Sequence, residues 1–231
     1  MLKIQDLTLH YSGSQILNGI SMAADVGQVT CVMGTNGVGK TSLLKAISGT
    51  HPRSGGTLSM NGQELPVLPP HGMVKHGVGY VPQGRMIFPL LTVQENLETG
   101  LGCLPKGERM IPDQIFELFP VLKEMKNRRG GDLSGGQQQQ LAIGRALITK
   151  PKLLLLDEPT EGIQPNIIQQ IGRVIDVLRD QGDMAIVLVE QYFDFAYEKA
   201  DRFYVLDRGA VSFARDKADL TREELAVAFK V

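Results

Sequence analysis

The segment Gly34-Thr35-Asn36-Gly37-Val38-Gly39-Lys40-Thr41, here called the phosphate loop, has the spacing Gly-x-x-x-x-Gly-Lys-Thr, which favours binding of nucleotide phosphates. Its glycines let the backbone turn tightly, so that several N–H groups can converge on phosphate oxygens. In such a loop Lys40 reaches the β- and γ-phosphates, and the hydroxyl of Thr41 ligates Mg²⁺. The apolar residues 29–33 before it predict a buried strand, and residues 42–47 after it predict a helix whose N-terminus favours anions. A glycine-rich turn that matches by chance would not explain these flanks, so we predict nucleotide binding.

Composition sets the class of protein. The 231 residues are 42% hydrophobic, which suffices for one large α/β domain with an inserted subdomain. A formal net charge of −1 gives no overall attraction to nucleic acid or to anionic membrane. The two cysteines form neither a disulfide framework nor a metal quartet. Residues 1–10 lack an apolar signal region and no run approaches the roughly 18 apolar residues of a membrane span, so we expect a cytosolic chain whose membrane role comes through partners.

The order of the predicted elements favours an α/β fold. Partly alternating apolar residues between positions 4 and 22 predict an antiparallel N-terminal β-subdomain. Apolar residues at helical spacing from about residue 88 onward, including residues 111–125, predict an inserted α-helical subdomain. We therefore expect a single domain over residues 1–231. Residues 1–86 and 151–231 would form a P-loop NTPase parallel-sheet core with the β-subdomain, and residues 87–150 the helical subdomain.

Two acids follow Leu153-Leu154-Leu155-Leu156, an apolar run typical of a central strand in a parallel sheet. Asp157, at the end of this strand, is where enzymes with a phosphate loop hold Mg²⁺. Glu158, one residue later, is in position to polarise an attacking water as a general base. Acids that only cap the next helix are the alternative. Neither acid can be fully buried without a charge partner, and Mg²⁺ supplies one.

The signature segment, Leu133-Ser134-Gly135-Gly136-Gln137, is the most specific pattern in the chain. A serine and two glycines that open a helix present N–H groups, a hydroxyl and a positive dipole end, which make a second anion site. Capping explains the serine but not the paired glycines, which weaken a helix start unless a ligand approaches closely. With this segment in the expected order and spacing, the whole chain resembles the ATP-binding subunit of an ABC transporter, whose signature is Leu-Ser-Gly-Gly-Gln.

The resemblance implies further contacts. The ring of Tyr11 would stack on adenine, although a tyrosine that belongs only to the sheet is the alternative. Gln83 would coordinate Mg²⁺ or its water and sense the membrane subunit. Two subunits would enclose two ATP molecules head to tail, so that each signature segment contacts the γ-phosphate held by the other subunit. The expected ATP-binding residues are Tyr11, Gly34, Asn36, Gly37, Gly39, Lys40, Thr41, Ser42, Gln83, Ser134, Gly135, Gly136 and Gln137, and the expected metal-site residues are Thr41, Gln83 and Asp157.

Two positions depart from the usual pattern of this family. Gln191 follows a predicted strand where the family has histidine, and Gln164 precedes a proline where the family has aspartate. A glutamine amide can donate a hydrogen bond to the γ-phosphate but carries no positive charge near neutral pH. We expect Lys40, Glu158 and Gln191 to form the catalytic set, and we expect hydrolysis without a histidine-like titration.

Shorter stretches narrow the resemblance to importers. Val189-Glu190-Gln191, Gln83-Gly84-Arg85 and Ile87-Phe88-Pro89 are similar to ATPases of branched-chain amino acid and amide importers. Glu161-Gly162-Ile163-Gln164-Pro165 and Gln191-Tyr192-Phe193-Asp194-Phe195-Ala196 look most like the ATPase of the urea importer. We therefore expect the chain to drive uptake of urea or short amides, with branched-chain amino acids as the alternative. No residue here would touch the solute.

The resemblance also implies partners. The chain would bind transmembrane permease subunits and a second, paralogous ATPase chain at the cytoplasmic face of the inner membrane, and would serve a solute-binding protein indirectly. Phe88, Pro89 and Leu90 are candidate permease contacts, although core packing explains them nearly as well. Three other functions stay open: a non-transport ATPase that acts on DNA or ribosomes, a regulatory subunit with little turnover, and a small-molecule kinase. Non-transport ATPases usually have tandem ATPase domains or a long coiled coil, and this sequence shows neither. Glu158 argues against a regulatory subunit, and Ser134 argues against a small-molecule kinase.

Overall fold

Two β-sheets organise residues 1–229, which are the residues that the computed structural model describes. The strands are β1 (Leu2–Tyr11), β2 (Ser14–Ala24), β3 (Val29–Met33), β4 (Gly55–Met60), β5 (Gln63–Glu64), β6 (Val78–Val81), β7 (Leu153–Asp157), β8 (Ala185–Val189), β9 (Arg202–Asp207) and β10 (Ala210–Asp216). The N-terminal sheet is antiparallel with the order β2-β1-β4-β5, and the larger sheet has the order β10-β9-β3-β8-β7-β6. In the larger sheet β10 pairs antiparallel with β9, and all other pairs are parallel. The predicted P-loop core with an antiparallel N-terminal sheet is confirmed.

Helices cover the larger sheet and fill the segment between β6 and β7. The α-helices are α1 (Lys40–Ser48), α2 (Pro70–Lys75), α3 (Val93–Glu98), α4 (Asp113–Leu118), α5 (Pro120–Glu124), α6 (Gly135–Ile148), α7 (Pro165–Gln181), α8 (Phe193–Lys199) and α9 (Arg222–Phe229). The helices α3 to α6 all lie between β6 and β7, in the region where the sequence predicts a helical insertion. The exact limits of that subdomain, residues 87 and 150, stay a prediction.

The strand β7 divides its side chains between two hydrophobic cores. Leu154 and Leu156 pack among the helices, whereas Leu153 and Leu155 pack on the side of the N-terminal sheet. Every residue of β7 is buried. Because a parallel strand covered on both faces has no solvent-exposed side, it needs the continuous apolar run that the sequence supplies.

The strand order brings four loops to one edge of the larger sheet. Since β3, β8, β7 and β6 are parallel neighbours, their carboxyl ends lie side by side. The phosphate loop follows β3, Gln191 follows β8, Glu158 follows β7 and Gln83 follows β6. This edge therefore collects residues that are more than 150 positions apart in the chain.

The helical pattern over residues 111–125 is interrupted. It forms two short helices, α4 and α5, which meet at Phe119 with φ −133° and ψ 74°. Pro120 causes the break, because its ring restricts the preceding residue to extended conformations and it has no N–H for a helical hydrogen bond.

One buried amide holds the segment that leads from the site edge into α3. Asn96 is fully buried, and its Nδ2 donates to the carbonyl oxygens of Phe88, Leu91 and Thr92 at 2.9, 3.2 and 2.9 Å. Its Oδ1 accepts a hydrogen bond from the N–H of Phe88 at 2.8 Å. Within residues 1–229 the N–H and carbonyl groups of Phe88 have no other hydrogen-bond partner, whereas the carbonyl groups of Leu91 and Thr92 also accept from the N–H groups of Gly130 and Asn96.

Replacing Asn96 by leucine should lower the free energy of unfolding by about 2–3 kcal/mol, because it leaves the N–H and carbonyl groups of Phe88 without partners and removes two further hydrogen bonds. Denaturant unfolding measures the change. Gln94→Ala is the control, since Gln94 lies on the same helix and, within residues 1–229, its side chain bonds only the exposed Glu98. Its effect should stay within about 0.5 kcal/mol. Equal effects of the two substitutions would contradict the assignment.

Candidate functional site

Two glycines of the phosphate loop lie so close to neighbouring residues that a side chain would not fit there. At Gly34 a Cβ would lie 2.6 Å from the carbonyl oxygen of Leu206, and at Gly39, where φ is 108°, it would lie 2.7 Å from a methyl group of Leu17. Within residues 1–229, the N–H groups of residues 36–39 have no protein acceptor. No side chain caps the start of α1. Free N–H groups at an uncapped helix N-terminus form a site for an anion such as a phosphate group.

Lys40 lies across this loop. Its Nζ donates to the carbonyl oxygens of Gly34 and Thr35 at 2.9 and 3.1 Å and lies 3.4 Å from Oε1 of Glu158. The side chains of Lys40 and Glu158 are only 4% and 8% exposed. The ammonium group is therefore already desolvated at the place where the sequence predicts the terminal phosphates.

Asp157 and Thr41, two of the predicted metal-site residues, are hydrogen-bonded to each other, and Tyr80 also contacts Asp157. The Thr41 hydroxyl donates to Oδ1 of Asp157 at 3.2 Å, and the Tyr80 hydroxyl donates to Oδ2 at 3.2 Å. Burial raises the pKa of the Asp157 carboxyl above its ordinary value, and these hydrogen bonds only partly oppose the increase. Burial and the charge of Asp157 likewise raise the pKa of Tyr80. Sequence reasoning missed Tyr80, which lies on the strand beside β7.

The arrangement of Asp157 and Thr41 suits Mg²⁺ bound together with a nucleotide. Among residues 1–229 no cluster of three or more His, Cys, Asp or Glu side chains could hold a metal by itself. Mg²⁺ commonly takes one or two protein oxygens and completes its shell with phosphate and water. The buried carboxylate and adjacent hydroxyl match that requirement.

Glu158 is the meeting point of two predicted residues. Gln191 donates from Nε2 to Oε1 of Glu158 at 2.5 Å and to Oδ1 of Asn36 at 2.7 Å, so it links the phosphate loop to the acid. Gln83 donates to Oε2 of Glu158 at 3.3 Å and to Glu161 at 3.0 Å. Glu158 has φ 47°, a left-handed conformation that is strained for a side chain and is often found at functional sites. These side chains line a cleft of about 580 Å³.

Glu190, which sequence reasoning did not select, fixes the backbone around this cleft. It is 2% exposed and accepts hydrogen bonds from the N–H and hydroxyl of Thr160 at 3.1 and 2.7 Å. It also accepts from the N–H groups of Gln191 and Tyr192 at 3.0 and 3.2 Å. Burial is the main cause that raises the pKa of Glu190, while these bonds lower it. An acid directly after an apolar strand is the signal that selected Asp157, and it could have selected Glu190.

The signature segment lies apart from the phosphate loop of its own chain. Ser134 and Gln137 form a capping box at the start of α6: Ser134 Oγ accepts from the N–H of Gln137 at 3.4 Å, and Gln137 Oε1 accepts from the N–H of Ser134 at 2.9 Å. At Gly136 a Cβ would lie 2.8 Å from a methyl group of Ile167. In the described part of the chain, no hydrogen bond or ion pair joins residues 134–137 to residues 34–41.

Three other predicted positions have plain surroundings. The Tyr11 ring packs against His51, with ring centroids 4.3 Å apart, so its contact with adenine stays a prediction. Ser42 is half-buried on α1. Gln164 precedes α7 without a side-chain capping bond.

No helix within residues 1–229 combines the length and apolarity needed to cross a membrane.

Comparison with known proteins identifies the family of the chain. Residues 17–161 match the family model described as ABC transporter. The chain is 42% identical over 212 residues, 91% of each chain, to the high-affinity branched-chain amino acid transport ATP-binding protein BraG of Pseudomonas aeruginosa. It is 37% identical to the probable branched-chain amino acid transport ATP-binding protein LivF of Archaeoglobus fulgidus, over 97% of this chain and 95% of that protein. It is also similar to a dimeric ATP-binding cassette in a post-hydrolysis state bound to ADP and Pi, with TM-score 0.82 and 25% identity over 94% of this chain and 99% of that one.

Replacing Asp157 by asparagine should stabilise the nucleotide-free protein by about 1 kcal/mol near pH 8, because it removes a buried charge and can keep the hydrogen bond from Thr41. The raised pKa means that wild-type stability falls as pH rises above the ordinary carboxyl range. The advantage of the variant should therefore shrink on acidification. Denaturant unfolding from about pH 4, the ordinary carboxyl range, up to about pH 8 tests this, with the exposed Asp183→Asn as control. A variant that is less stable than wild type at every pH would refute the expectation.

Proposed function

The chain belongs to the ABC transporter family of ATPases, and from that membership we propose that it drives an importer of branched-chain amino acids. The observation that carries the proposal is the 42% identity to BraG over 91% of both chains. LivF supports the same solute class. Urea is a second candidate, favoured by the stretches at residues 161–165 and 191–196. The similarity to BraG and LivF supports branched-chain amino acids over urea as the solute. The solute itself would bind to other subunits.

The chemistry follows from the residues at the sheet edge. The N–H groups of residues 36–39 and the ammonium of Lys40 would hold the triphosphate, and Mg²⁺, held by Thr41, Asp157 and Gln83, would neutralise its charge. Glu158 would accept a proton from the attacking water. Gln191 donates to Glu158 at 2.5 Å, so it can orient this base. The ring of Tyr11 would contact adenine.

A second chain would complete the site. Residues 134–137 make no hydrogen bond to their own phosphate loop within the described residues, and their helix start can bind an anion. We expect Ser134, Gly135, Gly136 and Gln137 to contact the terminal phosphate on a neighbouring ATPase chain, either a copy or a paralogue. ATP would then favour the closed pair, because it binds that state more tightly than the separated chains. Hydrolysis would release the pair.

The permease would dock beside Gln83. Met86, Phe88 and Leu90 are 67%, 48% and 79% exposed, which is more apolar exposure than core packing would leave. Their position next to a residue that bonds Glu158 would connect docking with the cleft. We therefore expect the chain to lie at the cytoplasmic face of the inner membrane through its permease, and to meet a solute-binding protein only indirectly.

Uptake of labelled leucine and urea tests the proposal in vesicles that contain this chain together with its permease, its partner ATPase chain and the solute-binding protein. Glu158→Gln should reduce ATP-driven leucine uptake at least about 100-fold, because the general base is lost, while urea uptake stays at background. Glu124→Gln, an exposed acid on α5, is the matched control. Urea uptake that depends on Glu158, with no leucine uptake, would transfer the assignment to the second candidate.

Because position 191 is a glutamine, the rate of ATP hydrolysis should show no titration step typical of histidine between about pH 6 and pH 7. The reason is that the amide that donates to Glu158 does not titrate in this range. Turnover of wild type and Gln191→Ala, measured across this interval, checks the expectation. A step with a pKa of about 6.5 in wild type that is absent from Gln191→Ala would count against it.

A further inference from the structure

Residues 84–86 form a left-handed turn at the border of the cleft. Gly84, Arg85 and Met86 have φ values of 77°, 69° and 46°. Side chains disfavour this region, so Arg85 and Met86 keep it only because surrounding contacts impose it. The Met86 carbonyl oxygen accepts a hydrogen bond from Arg145 at 2.7 Å, and the Met86 N–H donates to the Gly84 carbonyl at 2.7 Å. The hydrogen bond from Arg145 therefore stabilises the turn, and the turn fixes the position of the Arg85 backbone.

The guanidinium group of Arg85 contacts two motifs at once. Its Nη2 donates to the carbonyl oxygen of Glu161 at 3.3 Å. It also lies against the first residue of α6: a Cβ at Gly135 would be 2.9 Å from Nη1 and 3.1 Å from Nη2. A side chain at position 135 would displace the guanidinium, so the contact depends on this glycine.

Gln83, two residues earlier, strengthens one side of this connection. Its Nε2 bonds both Glu158 and Glu161, at 3.3 and 3.0 Å. Gln83 and Arg85 thus both hold the loop that carries the proposed general base. Arg85 in addition lies against Gly135 at the start of α6.

We propose that Arg85 is a positioning residue that holds the signature segment at Gly135 and the loop at Glu161 in a fixed relation. The proposal rests on the proposed function, in which Glu158 serves the chain's own nucleotide and Ser134 serves that of a second chain. Arg85 makes these two half-sites of one chain move as a unit. Lysine can keep a hydrogen bond to Glu161 but cannot reproduce the planar contact with Gly135.

The test compares Arg85→Ala and Arg85→Lys with Arg128→Ala, whose exposed side chain makes no hydrogen bond or ion pair among the described residues. In the full chain without nucleotide, Arg85→Ala should speed amide hydrogen exchange at Gln137, Gln138 and Glu161 by about tenfold or more. In the assembly with its permease, kcat should fall about 10- to 100-fold while KM for ATP changes less than about threefold, because the phosphate loop is untouched. Arg85→Lys should recover part of kcat.

Exchange and kcat of Arg85→Ala that match wild type would overturn the proposal. A general rise of exchange throughout the sheet, with KM rising as kcat falls, would also overturn it, because this is the behaviour of a merely structural residue. A wild-type assembly without ATP turnover would contradict the proposed function instead. The hydrogen-exchange comparison does not require ATP turnover. It therefore tests the role of Arg85 even if the proposed function is wrong.

Discussion

The structure depends on a concentration of buried negative charge at one sheet edge. Asp157, Glu158 and Glu190 all lie there, and Lys40 is the one cation within residues 1–229 that pairs with any of them. Burial raises the pKa of Asp157 and of Glu190, which means that their charged forms are under-stabilised in the folded protein. Such an arrangement is suited to a cation, and Mg²⁺ beside Asp157 would supply that positive charge.

The sheet order is what makes this concentration possible. Parallel neighbours place four loops together, and three of these strands, β3, β7 and β8, are fully buried. Their largely apolar surroundings lower the local dielectric constant around the polar groups at the strand ends. Hydrogen bonds from Thr41, Tyr80 and Thr160 then orient the carboxylates without neutralising them. Burying these carboxylates costs free energy, and the burial of the apolar strands on which they lie offsets that cost. The same strands therefore stabilise the fold and position the site.

Sequence reasoning recovered the parts of the site that are local in the chain. Lys40 and Thr41 sit in a short motif, and Asp157 and Glu158 directly follow a strand that is recognisable from its composition. Tyr80 and Arg85 could not be found in this way, because their roles depend on the register of a neighbouring strand and on a left-handed turn. Asn96 is similar: nothing local distinguishes a buried amide with four bonds from a surface asparagine. The split of residues 111–125 was readable from Pro120.

In the proposed function, each chain would contribute to two different reaction centres, with Lys40 in one and Ser134 in the other. The most direct test mixes two inactive variants, Lys40→Ala and Ser134→Tyr, and measures ATP turnover. If each centre combines residues of two chains, the mixture should recover roughly a quarter of wild-type turnover, because about half of the random pairs contain one intact centre out of two. Full turnover by Ser134→Tyr alone would contradict this account.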